Sequence, residues 1–271
     1  MRMAPSEILR LAAIDGALLG LFMVSVGLFA PLIDGPNSFV AQHVPDATLR
    51  RAMVGVAMGL TAMALIYSPW GARSGAHMNP GVTLAFLRLG RIPRTSAIFY
   101  ICAQVIGGTL GVVAVGLIVG PEFTNDPIKY GATVPGAFGV AAAAGGEFVI
   151  SLALMLMVLY TSNARRFAPF TGVFAGMLLF FYITFEAPLS GMSINPARTL
   201  ASAIPSQTFT ALWLYLLIPP LAMLLAAEIF RRAPHLPMVH CCKLNHNGHE
   251  VCPYCGCNGP IDFDAHKDDS P

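Results

Sequence analysis

Long apolar runs alternate with short polar links along this chain. Six runs reach or approach the roughly 20 apolar residues that cross a bilayer: about 8–33, 52–67, 96–119, 138–160, 168–185 and 210–230. Lipid offers no partner to a bare peptide group, so each run is read as a helix. Two shorter apolar runs interrupt the series, one at 79 to about 87 and one at 195 to about 203. Each opens on Asn-Pro, with Asn placed to cap and Pro at the first helical position, where its missing N–H costs nothing. Each follows irregular Gly/Ser backbone, which survives at membrane depth only if buried in protein or lining a watery cavity.

The order is span, span, half-helix, span, and then the same again. Three spans are an odd number, so the two halves sit inverted and one half-helix enters from each face. The expected organisation is a first repeat at 1–119, a linker at 120–136, a second repeat at 137–232 and a tail at 233–271. Arg2, Arg10, Arg88, Arg91, Arg94, Arg165, Arg166, Arg231 and Arg232 then share one side, against mainly Arg50, Arg51 and Lys129 on the other. By the positive-inside rule both termini are cytoplasmic.

Composition sharpens this picture. The chain has 271 residues, 55% of them hydrophobic and only 11% charged. An ordinary soluble domain carries about 25% charged residues, so this is an integral membrane protein. A formal net charge of +2 gives no electrostatic footprint for nucleic acid. The first apolar run is too long for a signal-peptide core. Glu147 lies well inside the fourth span. Asp15 lies near the start of the first, either at headgroup depth or as a functional interior carboxylate. Cys102, alone in an apolar segment, is expected to be a buried packing residue.

The boxes Asn79-Pro80-Gly81 and Asn195-Pro196-Ala197, the run Ser74-Gly75-Ala76-His77 and Arg198 after the second box together resemble the aquaporin, or major intrinsic protein, family. Glu147 and the Gln104/Gly107 segment also fit, and the resemblance covers about 8–232. It implies an all-α membrane protein with six transmembrane helices and two half-helices in an inverted three-plus-three repeat. It implies a passive channel for water and other small uncharged solutes, with no enzyme activity, no cofactor for the channel, and a homotetramer in the cell membrane. The half-helix N-termini would meet at the midplane, Asn79 and Asn195 capping through oxygen and turning NH₂ donors to the pore. Arg198 would hold the outer constriction and His77 would line the cytoplasmic part of the pore. Glu147 would support a loop backbone.

The resemblance also implies an outer filter of Ile183, Met192, Arg198 and a second-span residue, Met58 or Gly59. That ring lacks the His usual at the Ile183 position in water-selective relatives. It also lacks the Asp that usually follows the Arg in glycerol-conducting relatives, since Thr199 stands there. A largely apolar ring filters by size and weak polarity. Gly81 replaces the usual Ala and is expected to remove a methyl from the midplane. The usual first-span Glu is missing, Ala17 standing at its register and Asp15 nearby.

Five of the six cysteines fall in the tail. Cys252-Pro-Tyr-Cys255, followed by Gly256 and Cys257, has the spacing with which two thiolates hold one metal ion. Cys241 or Cys242, with His246 or His249, would complete a tetrahedral zinc site. Free reactive thiols and a lipidated Cys241-Cys242 pair are the other readings. The tail also raises a second functional class: a metal- or redox-sensing membrane protein, or a channel gated by metal at the tail. From Ile261 on, the acidic end reads as disordered.

Overall fold

The computed structural model describes residues 3–233, 235–236, 238–245 and 251–257. Among these residues the protein is helical without strands, and six helical segments are long and apolar enough to cross a membrane. The first repeat comprises α1 (Pro5–Asp34), α2 (Ala47–Tyr67), the half-helix α3 (Pro80–Arg88) and α4 (Arg94–Val119). The second comprises α5 (Gly139–Asn163), α6 (Thr171–Phe181), the half-helix α7 (Pro196–Ser206) and α8 (Leu212–Arg232). The fifth span continues beyond α6 through a π-helical turn, Tyr182–Glu186, and a final turn, Ala187–Ser190.

The packing follows the internal repeat. In each half the first span lies along the third, α1 on α4 and α5 on α8. The middle spans α2 and α6 pair across the two halves. Each half-helix packs on the third span of the opposite repeat, α3 on α8 and α7 on α4. Neither repeat can close its own core alone.

Small residues allow the close crossings that drive helix association in lipid. A Cβ built on Gly20 would stand 2.7 Å from the Gly107 carbonyl oxygen, and one on Gly59 would stand 2.6 Å from that of Gly176. Large side chains outside these seams, such as Leu117, Ile118 and Phe138, are exposed. Cys102 is exposed as well, which corrects the expected buried position. Lipid tails are as apolar as the bundle interior, so hydrophobicity alone does not reveal which face of a spanning helix turns inward.

Candidate functional site

The two loops leading into the half-helices meet at the centre of the bundle. Asn79 and Asn195 both hold extended backbone as N-caps. The Asn79 side-chain oxygen accepts from the Gly81 N–H at 2.8 Å. That of Asn195 accepts from Ala197 at 3.1 Å and from Arg198 at 3.2 Å. The amide nitrogens do something the sequence did not suggest. Asn79 Nδ2 donates to the Ile194 carbonyl at 2.8 Å, and Asn195 Nδ2 donates to the Met78 carbonyl at 2.7 Å. Each NH₂ carries two hydrogens. One ties the two loops together, which leaves one on each residue beyond this bond.

Each loop is braced by a fully buried carboxylate from the first span of its own repeat. Asp15 accepts from the backbone N–H of His77 and of Met78, both at 2.9 Å, from Ser74 Oγ at 3.2 Å and from Gln104 Nε2 at 2.7 Å. Glu147 accepts from Ser193 N at 2.5 Å, Ile194 N at 2.7 Å and Ser190 Oγ at 3.0 Å. Asp15 is therefore an interior group, and the headgroup position left open by the sequence does not occur. The pairing also holds backbone that few residues adopt. Ala76, Met78, Met192 and Ile194 all have φ between 48° and 57°. Such left-handed non-glycine residues cost about 1–3 kcal/mol each and persist only where the surroundings over-determine them.

Tyr100 and Tyr215 complete the frame, donating to the Ser74 carbonyl at 2.7 Å and the Ser190 carbonyl at 2.6 Å. Neither was singled out from sequence. Their signal was available, because Tyr100 follows Asn79 by 21 residues and Tyr215 follows Asn195 by 20.

One cavity of about 370 Å³ threads this centre. It runs from Asp34 and Ile128 at one end, past Met58, Ile183, Met192 and Arg198, between Asn79 and Asn195, to His77, Val158 and Leu244 at the other. Of the two second-span alternatives, Met58 lines the cavity and Gly59 packs against Gly176. Ile183 sits in the π-helical turn, an irregularity frequent at functional positions and not legible in the apolar run. Arg198 Nη1 donates to Thr133 Oγ1 of the inter-repeat linker, a partner the sequence did not suggest.

Gly81 needs a correction. It is absent from the cavity wall, and a Cβ there would meet Met223 Sδ at 2.6 Å on α8. The missing methyl belongs to a helix seam and not to the pore.

His77 is buried and stacks on Phe86, with ring centroids 5.1 Å apart. Its Nδ1 lies 3.1 Å from Thr83 Oγ1. Its Nε2 donates to the backbone carbonyl of Cys242 at 2.8 Å, so the tail reaches the pore entrance. The tail holds four thiols, those of Cys241, Cys252, Cys255 and Cys257, whose sulfurs all lie within 4.8 Å of one another. Hydrogen bonding with Cys241 pulls the Cys255 thiol down to about 7. Cys242 stands outside this group of four. His246 and His249, and the acidic end from Ile261, lie outside the described residues.

Two half-helices meeting nose to nose around a central cavity, within six spanning helices, define a polytopic membrane pore. The chain belongs to the major intrinsic protein family, whose profile (Major intrinsic protein) matches residues 15–230. It is similar to the aquaporin NIP1-4 of Oryza sativa subsp. japonica, 36% identical over 167 residues, 61% of this chain and 59% of that protein. It thus spans less than two thirds of that relative. It is 30% identical to the Arabidopsis thaliana aquaporin NIP1-1 over 210 residues, 76% of this chain and 70% of that one. Aquaporin Z of Photorhabdus laumondii subsp. laumondii is 31% identical over 217 residues, 76% of this chain and 93% of the relative. Among solved structures, the aquaglyceroporin of Plasmodium falciparum superposes with a TM-score of 0.63 at 18% identity, covering 82% of this chain and 96% of that one. That likeness speaks to the fold.

Proposed function

We propose that the protein is a passive channel for water and other small uncharged solutes, and not an enzyme. The observation that carries this reading is the cavity that passes between the two capped half-helix N-termini. Each N-terminus presents the equivalent of about half an elementary positive charge. Two such ends facing one point repel cations at the midplane. The remaining hydrogen on each of Asn79 and Asn195 donates to a passing water oxygen. That water then has no acceptor to offer its neighbours, and a proton wire along the file is broken. Arg198, held by Thr133, adds a fixed positive charge and directed donors at the constriction.

The filter of Met58, Ile183, Met192 and Arg198 offers one polar member. It selects by size more than by hydrogen-bond pattern, so water passes along with somewhat larger neutral solutes. The arginine distribution supports cytoplasmic termini for a chain in the cell membrane. The exposed apolar faces suit lipid and a homotetramer. The four tail thiols suit a soft divalent ion such as zinc, which is bound by four thiolates in tetrahedral sites.

Stopped-flow swelling and shrinkage of proteoliposomes tests this, comparing water and glycerol for wild type and Asn195→Asp. The substitution keeps a capping oxygen but replaces the NH₂ with an acceptor that faces the Met78 carbonyl. Flux above bare lipid that falls with Asn195→Asp is the expected result. A folded sample in which no tail state or variant exceeds bare lipid rules the reading out.

A further inference from the structure

The tail does more than hang from α8. Residues 241–245 are all buried, Leu244 to 4% exposure. Leu244 is part of the cavity wall at the His77 end. Its backbone N–H donates to the Gly75 carbonyl at 3.1 Å, and the Cys242 carbonyl accepts from His77 at 2.8 Å. On the other side of the entrance, the His240 N–H donates to Asn163 Oδ1 at the end of α5, at 3.0 Å. The segment is therefore fastened to both repeats. Cys241, Cys242, Leu244 and Cys252 share one apolar core with Phe86, Tyr100 and Met223 of the bundle.

The shape of this segment is set by its cysteines. Gly256 N–H donates to the Cys252 carbonyl at 2.8 Å and Cys252 N–H to the Cys257 carbonyl at 2.9 Å, closing a tight knuckle. Gly256 holds φ +74°, which suits glycine. The knuckle sets its three thiols beside Cys241, the first residue of the docked segment. A tetrahedral ion with bonds of about 2.3 Å to sulfur needs sulfurs about 3.8 Å apart; the four lie within 4.8 Å of one another, and Cys255 and Cys257, whose sulfurs are 2.7 Å apart, would spread to reach that spacing. So short a segment has little core of its own, and small metal-held modules of this kind fold only with the ion bound.

We propose that Cys241, Cys252, Cys255 and Cys257 bind one zinc-class divalent ion, and that the ion holds Leu244 as a stopper in the tail-side entrance of the pore. With the ion bound, the knuckle presents Cys242 and Leu244 to His77 and Gly75, and the entrance is closed. Without it, the knuckle loosens, the segment leaves, and the cavity opens on that side. The gate rests on the channel reading above and adds its regulation.

The test uses the full-length protein in proteoliposomes, with metal content measured by mass spectrometry and water flux by stopped flow. Purified protein is expected to hold one zinc per chain, and Cys252→Ser/Cys255→Ser none. Metal-loaded wild type is expected to conduct roughly tenfold less than chelated wild type, as for an ion that shifts a two-state equilibrium by that factor. Added zinc should restore the low flux. Leu244→Gly should still hold its zinc yet conduct freely with or without chelator, which separates the stopper from any other effect of zinc. Flux that stays high and unchanged while zinc is measurably removed overturns the gate and leaves the channel standing. A protein that binds no zinc, or whose flux answers only to thiol oxidants, overturns the metal. Bare-lipid flux in the chelated and Leu244→Gly proteins alike overturns the channel reading itself.

Discussion

The two half-helix loops are built alike and covered differently. Both are braced by a buried carboxylate, tied by an asparagine to the opposite loop and fastened by a tyrosine from the third span. What covers them differs. The second loop is overlaid by the linker between repeats, with the Gly136 N–H on the Leu189 carbonyl at 3.0 Å and Thr133 on Arg198. The first is overlaid by the tail, through Cys242 on His77 and Leu244 on Gly75. A linker is anchored at both ends by spanning helices, and loop closure keeps it near its site. The tail segment follows the last span of the second repeat, and it is held at its site by the hydrogen bonds and the apolar core described above. Internal duplication thus yields one cover made by the linker between repeats and another made by the segment beside the cysteine cluster.

The largest expected effect falls on what the loops share. Asp15→Ala strands the buried N–H groups of His77 and Met78, and Glu147→Ala strands those of Ser193 and Ile194. A buried donor left unpaired costs about 1–3 kcal/mol. Each variant should lose roughly 2–6 kcal/mol, seen as a drop of about 5–20 °C in melting temperature in detergent. The sharper outcome is equality. If Asp15→Ala is mild where Glu147→Ala is severe, the shorter carboxylate is not the counterpart of the longer one.

The next effect falls on what differs. Thr133→Val removes the linker's hold on Arg198 without touching the tail. A hydrogen bond to a charged group such as this one is worth about 1.5–3 kcal/mol. Glycerol permeability should therefore rise by roughly tenfold or more, with the response to zinc and chelator unchanged. An altered zinc response would mean that the two covers are coupled across the pore, and the contrast between them would fail.

Much of this was legible beforehand for a physical reason. Spanning helices need unbroken apolar length, and a half-helix needs a cap and a proline, so both leave strong local marks. Other features depend on residues far apart in sequence. Whether Gly81 faces the pore is decided by Met223, on the opposite repeat. That Asp15 could brace a loop from a register two residues away from Ala17 depends on Gln104 closing in from α4. The π-helical turn beneath Ile183 leaves no mark in an apolar run. Cys102 shows a limit specific to membranes, because inward and lipid-facing residues draw on the same alphabet. The tail's cysteine spacing was plain, whereas its place at the pore entrance rests on the hydrogen bond to His77, 165 residues away.

The smallest expected effect tests the remaining difference between the boxes. Gly81→Ala would bring a methyl against the thioether end of Met223, a flexible side chain that can turn aside. The helix gains about 0.5–1 kcal/mol from losing a glycine, and the displaced sulfur returns a similar amount. Stability should stay within about 1 kcal/mol of wild type. The reciprocal Ala197→Gly removes a buried methyl and should lose about 0.5–1 kcal/mol with no offset. Gly81→Ala should leave the water-to-glycerol flux ratio unchanged, since the new methyl points into the seam between α3 and α8. A shifted ratio for Gly81→Ala would place that residue on the pore after all. The difference between the boxes would then be one of selectivity, and packing alone would not account for it.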